Sequence, residues 1–116
     1  MKIFTENVHW LLRITLCITF LMHGYPKIVD PSGLISMGLP RIIGYLIGPF
    51  EVGGGILLIL GPFLNSYITR IGAGLIAIIM LGAIFFVHIS DGWQALEWQV
   101  LILSTSILFI VKGNDV

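Results

Sequence analysis

Charge is what this sequence has least of. Lys and Arg together number 6 and Asp and Glu 6 among 116 residues, 10% in all with a net charge of zero, where soluble domains carry about 25%. No basic patch remains with which to bind nucleic acid. Cysteine is nearly absent too. Cys17 alone excludes an intramolecular disulfide, a CxxC redox pair and a thiolate-held iron–sulfur cluster, and it reads as a small buried apolar side chain. Nucleotide-binding motifs and a CxxCH haem-attachment sequence are missing as well. If the chain takes part in redox chemistry, a partner has to carry the electrons.

What is present is apolar: 57% of residues are hydrophobic and the mean hydropathy is +1.03. A membrane-crossing helix needs about 20 mostly apolar residues, and four segments supply them, 8–24, 42–62, 68–87 and 95–111. The predicted fold is an all-α integral membrane four-helix bundle, one domain over residues 1–116, with membrane lipid around it. The first segment carries Arg13 and ends in HGYPK rather than a small-x-small cleavage site, so it is expected to be a retained span and not a signal peptide. Gly24 and Pro26 are expected to end that helix. In the connection 25–41 the LISM stretch suits one interfacial turn, GPFLNS at 61–66 and HISDGWQ at 88–94 make the later connections, and Trp93 and Trp98 suit an aromatic belt.

Four spans put both termini on one side. Lys2, Arg70 and Lys112 share that side and Arg13 lies nearest it, against Lys27 and Arg41 opposite. The positive-inside rule therefore places the termini in the cytoplasm. The expected location is the prokaryotic cytoplasmic (inner) membrane.

Each intramembrane polar group then needs an account, because charge at a helix centre costs at least about 2.5–3.5 kcal/mol and such residues face the interior and pair. Glu51 sits in the second span beside Gly44, Gly48 and Gly55 at helical spacing, a face of small residues that lets another helix approach closely. Pro49 should kink that helix. The expected partner for Glu51 is Arg13, whose guanidinium would keep the carboxylate ionised. Arg70 and His88 are 18 residues apart, about five turns at 3.6 residues per turn, and so share a helix face. His23 and His88 fall at one membrane face, where they could line a shared pocket. Lys27 and Tyr25 are explained by anchoring at the interface. The i, i+3 or i, i+4 spacing of metal ligands is absent, which argues against a metal; two histidines on different helices make a haem the weaker reading. Ser104, Thr105 and Ser106 are expected to be structural, bonding backbone carbonyls or packing between helices.

Three stretches resemble the DoxX family. LLRITLCITFLMHGYPKI is similar to its first-helix signature, an arginine ten residues before a His-Gly pair followed by a lysine. FEVGGGILLILGPF resembles its Glu-x-x-Gly-Gly second helix, and TRIGAGLIAIIMLGAIFFVH its third, with an arginine at the start and a histidine at the end. The resemblance covers about residues 10–111 and matches the family's recurrent positions at Arg13, His23, Gly24, Lys27, Glu51, Gly54, Gly55, Arg70 and His88. It implies a four-helix membrane protein from a family named for a small subunit of an archaeal terminal quinol oxidase linked to thiosulfate oxidation. The chain has neither the extra helices nor the soluble domain of the larger DoxD-type enzymes.

The expected function is that of a small membrane subunit of a quinone-linked redox system. His23, His88, Glu51 and Arg13 would handle protons or bond the quinone, Lys27 and Arg70 would help bind it, and a redox protein partner would supply electrons. Histidine suits general acid work near neutral pH. Two alternatives come from other classes: a small proton-coupled transporter built on Glu51, and a non-catalytic assembly subunit. A homo-oligomer is compatible with each.

Overall fold

The structure is a computed structural model describing residues 2–88 and 90–116, without the side chains of Val87 and His88. A short helix α1 (Lys2–Asn7) leads through Val8 into α2 (His9–Val29). A single-turn helix α3 (Ser32–Ser36) precedes α4 (Arg41–Leu64) and α5 (Ser66–Gly82), which runs on as a π-helical segment, Ala83–His88, before α6 (Trp93–Lys112). The described residues are helical almost throughout and contain no strand.

The helix ends differ from the sequence reading in two places. Helix α2 passes through Pro26 and stops at Val29. Proline removes one backbone hydrogen bond, a loss that membrane helices tolerate when neighbours satisfy the freed carbonyl. Helix α4 likewise continues through Pro49 and Pro62 to Leu64. The connection to α5 shrinks to Asn65, whose extended backbone (φ −167°, ψ 171°) turns the chain while its side chain caps α5 by accepting from Ile68 N at 3.2 Å. Beyond α2, hydrogen bonds from the Ser32 hydroxyl and backbone N–H hold the Asp30 carboxyl below the usual carboxylate range.

The order of packing follows the chain: α2 against α4, α4 against α5, α5 against α6. Two reciprocal glycine contacts set the spacing. A Cβ on Gly24 would lie 3.0 Å from Gly48 O, and one on Gly48 3.0 Å from Gly24 O. Between α4 and α5 the corresponding contacts are Gly54 to Gly72 O at 3.0 Å and Gly72 to Gly54 O at 2.9 Å. The backbones touch, as small residues at membrane helix contacts allow. The expected buried face is there, with Gly44, Gly48, Glu51 and Gly55 all inside. Leu16, Phe20, Leu58, Ala73, Ile76, Met80 and Phe109, drawn from all four long helices, form the core.

Large apolar side chains also cover the outside, among them Leu11, Ile42, Ile71 and Leu101, as befits a protein solvated by lipid rather than water. Among the described residues three helices are long and apolar enough to cross a membrane, Arg41–Leu64, Ser66–Phe86 and Trp93–Lys112. Helix α2, 21 residues long, is not among them, since it carries Arg13, His23 and Lys27. Ser104, Thr105 and Ser106 donate to the carbonyls four residues back at 2.8, 3.0 and 2.9 Å, as expected.

Candidate functional site

The expected pair between Arg13 and Glu51 does not form. Arg13 is fully buried, and its Nε donates to His9 Nδ1 at 2.8 Å, Nη1 to Leu58 O at 2.6 Å and Thr69 Oγ1 at 3.0 Å, and Nη2 to Asn114 Oδ1 at 3.1 Å. Its guanidinium carbon lies 4.8 Å from the centre of the Phe109 ring, a cation–π distance. The reason is register: α2 and α4 run antiparallel, and Arg13 stands level with Leu58. Glu51 is seven residues earlier on α4, roughly 10 Å away at about 1.5 Å per residue.

Asn114 completes this knot from beyond α6. Gly113, with φ 59°, turns the chain back after Lys112. Asn114 Nδ2 then donates to Gly61 O at 3.0 Å, its backbone N–H to Ser66 Oγ at 3.1 Å, and its Oδ1 accepts from the Thr69 hydroxyl. Among the described residues Arg13 has no carboxylate within ion-pair distance. Neutral oxygens and an aromatic face hold it instead, and its role here is to tie α2, α4, α5 and the segment after α6 together.

Glu51 pairs with Lys27. Nζ stands 2.8 Å from Oε1, with the Glu51 side chain 3% exposed. Side chains on a helix lean toward its N-terminus, so the Lys27 stem runs back into the apolar region rather than outward as anchoring would require. Among the described residues Glu51 Oε2 is buried without a partner.

This pair stands in the wall of a cavity of about 780 Å³. Phe20, Ile47, Phe50 and Met80 give it apolar walls, and Leu34, Met37 and Pro40, in and after α3, lie across it. The π-helical segment contributes Ala83, Phe85 and Phe86, a local geometry often found at functional sites. Helix α6 adds Trp98 and Gln99. His23 also lines the cavity, its ring 5.9 Å from that of Trp98 at an interplanar angle of 31°. Gln99 is 2% exposed and its Oε1 has no partner among the described residues.

Of the residues singled out from sequence, the cavity therefore gathers His23, Lys27 and Glu51. Arg13 belongs to the knot at the other end of α4. Arg70 lies at the start of α5, exposed, its Nη2 3.5 Å from Val111 O and away from the cavity lining. The side chain of His88, and with it the expected pairing with His23, lies outside the described residues. The backbone of His88 ends the π-helical segment, so the α-helical count that put it on the Arg70 face does not hold there. From the sequence Trp98 reads as an interface anchor and Gln99 has no assigned role. The available signal was an amide inside an otherwise apolar span. Asn114 carried no signal.

A family model described as DoxX matches residues 9–89, the stretch from the start of α2 to the end of the π-helical segment. A protein of Bacillus subtilis (strain 168) that bears the name "Putative oxidoreductase CatD" is 34% identical over 109 residues, which is 90% of this chain and 78% of that protein. No solved structure matches.

Proposed function

The chain belongs to the DoxX family, and from that premise we propose that it is an integral membrane subunit of a quinone-linked redox system, with the α2–α4–α6 cavity as the quinone site. The observation that carries this reading is the placement of one buried ion pair, Lys27 with Glu51, in the wall of a largely apolar cavity of about 780 Å³. Apolar walls suit an isoprenoid ring and tail, and a few convergent polar groups orient the head. The name of the Bacillus relative supports redox work.

Reduction of a quinone to hydroquinone takes two electrons and two protons. Here the Lys27 ammonium donates to one ring oxygen and gives it one proton, Glu51 beside it relays a replacement proton to Lys27 from water, and the His23 ring gives the second proton to the other ring oxygen. The His23 ring offers a second hydrogen-bonding group, and Trp98 a flat face for the ring. Electrons come from a partner protein, because Cys17 is the only cysteine and no other side chain here carries them. Arg13 and Arg70 take no part in the chemistry. Phe85 and Phe86, 59% and 82% exposed, line the cavity and open it toward lipid, the route for the tail. Both termini face the cytoplasm.

The test is to purify the protein in mild detergent and analyse the extracted lipid, then titrate with decylubiquinone. Co-purified quinone, or binding that Glu51→Gln and Lys27→Met weaken, is the expected result. Absence of quinone in the extract together with no binding on titration overturns the reading.

A further inference from the structure

Helix α3 lies across one end of the cavity and is lightly held there. It spans Ser32–Ser36, between the end of α2 and the start of α4, and its main packing partner is α4. Its hydrogen bonds are local: Ser32 N–H donates to Asp30 Oδ1 at 3.1 Å, Ser36 Oγ to Gly33 O at 2.8 Å and Gly38 N–H to Ile35 O at 3.1 Å. The tie to the bundle is apolar, with Leu34 and Ile35 half-buried while Ser32, Gly33 and Ser36 are exposed. Ile35 rests on Gly44. A Cβ on that glycine would lie 2.9 Å from Ile35 Cγ1, and its three nearest atoms beyond the backbone of α4 all belong to Ile35.

The chain can turn on either side of this contact. Helix α2 gives way at Asp30 to extended backbone (φ −145°, ψ 93°). Gly38 has φ 93°, with no atom within 4 Å of where a Cβ would stand, a conformation that glycine adopts without strain. From the contact a column leads inward along α4, where Gly44, Ile47 and Glu51 follow at spacings of three and four residues and so share one face. Glu51 therefore lies roughly 10 Å from Gly44 at about 1.5 Å per residue. Ile47 and Glu51 line the cavity, as do Leu34 and Met37 from the segment across it. A segment held by few buried apolar contacts and by its own local hydrogen bonds opens at low free energy.

We propose that α3 is a lid. Closed, with Ile35 seated on Gly44, it shields the Lys27–Glu51 pair from water; lifted, it admits the water from which Glu51 draws protons. Entry from lipid at Phe85 and Phe86 stays separate, so a membrane-soluble ligand and the protons take different routes to one site. The proton-supply role rests on the function proposed above, and the lid itself on the cavity.

The test uses no quinone. In lipid nanodiscs, with Cys17→Ala removing the native thiol, Ile47→Cys reports water in the column through its rate of reaction with a charged methanethiosulfonate, and Met37→Cys, at a position 59% exposed, gives the rate of an open site. Ile47→Cys is expected to react about tenfold more slowly than Met37→Cys. Gly44→Ala, whose added methyl pushes Ile35 aside and meets nothing else as closely, should raise the Ile47→Cys rate about tenfold. Ile35→Ala should do the same, and the two together should add little. Gly33→Ala, whose Cβ meets nothing within 4 Å, should leave the rate unchanged. An Ile47→Cys rate already equal to that of Met37→Cys overturns the lid, because the column is then open. A rate that neither Gly44→Ala nor Ile35→Ala changes overturns it too, and if Gly44→Ala does not fold, Ile35→Ala decides. Each of these failures leaves the quinone reading standing, and a protein that binds no quinone would still show the lid by its labelling rates.

Discussion

Lys27 reaches back along its own helix to place Nζ 2.8 Å from Glu51 Oε1, across the closest approach of α2 and α4. The pair is lopsided, with the lysine side chain 31% exposed and the carboxylate 3%. Removing the lysine strands a buried charge, whereas removing both charges strands nothing. Lys27→Met should therefore lower stability by about 1–3 kcal/mol, and Glu51→Gln added to it should restore most of the loss. Thermal unfolding in detergent monitored by circular dichroism reads this; a Lys27→Met protein as stable as the parent would show that the pair contributes nothing.

The Arg13 knot makes a separate prediction, because it lies at the other end of α4 from the cavity. Asn114→Ala removes the acceptor for Arg13 Nη2 and the donor to Gly61 O, which should cost about 1–3 kcal/mol. Its effect should be non-additive with Thr69→Val, which shares the same network, by about 0.5–3 kcal/mol. Ligand affinity should not change in the single variant. A drop in decylubiquinone affinity without loss of stability would mean that the two ends communicate.

Glycine contacts give a contrast within one helix. A Cβ at Gly48 would meet Ile28 N at 2.8 Å, a backbone atom that cannot swing aside, while one at Gly53 meets nothing within 4 Å. Gly48→Ala should force α2 and α4 apart at a cost of about 1–3 kcal/mol, and Gly53→Ala should be neutral. Equal stabilities for the two variants, measured by the same melts, would remove the close approach as an explanation for the small-residue face.

How much of this was legible before the structure depends on the range of the contact. The inward face of α4 could be read because Gly44, Gly48, Glu51 and Gly55 repeat at the helical period, a property of one segment alone. The partner of Glu51 could not, because it depends on the register between two antiparallel helices. Moving one helix by a residue changes every cross-helix level by about 1.5 Å. Lys27 was read as an interface anchor since its position suits one; the direction in which its stem leaves the helix decides otherwise. Pro26 was read as a stop, and yet α2 continues to Val29. Asn114 acts through contacts with residues 45 to 101 positions away, which no local pattern announces. The cavity residues Trp98 and Gln99 were visible only as an aromatic and an amide in a span.

Helix α2 also makes a prediction about assembly in the membrane. It is the long helix that lacks the apolarity to cross by itself, and its two charged residues find partners outside it: Arg13 bonds to Leu58, Thr69 and Asn114, and Lys27 to Glu51. A charge at the centre of a lone helix costs about 2.5–3.5 kcal/mol on insertion scales and one nearer an end, as Arg13 and Lys27 are in α2, costs less; in the assembled protein hydrogen bonding offsets that cost. An isolated α2 segment in a glycosylation-reporter host should therefore insert less well than an isolated α4, and Arg13→Leu with Lys27→Leu should raise its insertion to the level of α4. In the full chain α2 should cross regardless, with α4 to hold it, so that a reporter fused at the N-terminus and one inserted after Asp30 fall on opposite sides. If the isolated segment inserts as efficiently as α4, the partners of Arg13 and Lys27 are not what carries α2 across; if both reporters fall on one side, α2 does not cross at all and the common cytoplasmic side of the two termini goes with it.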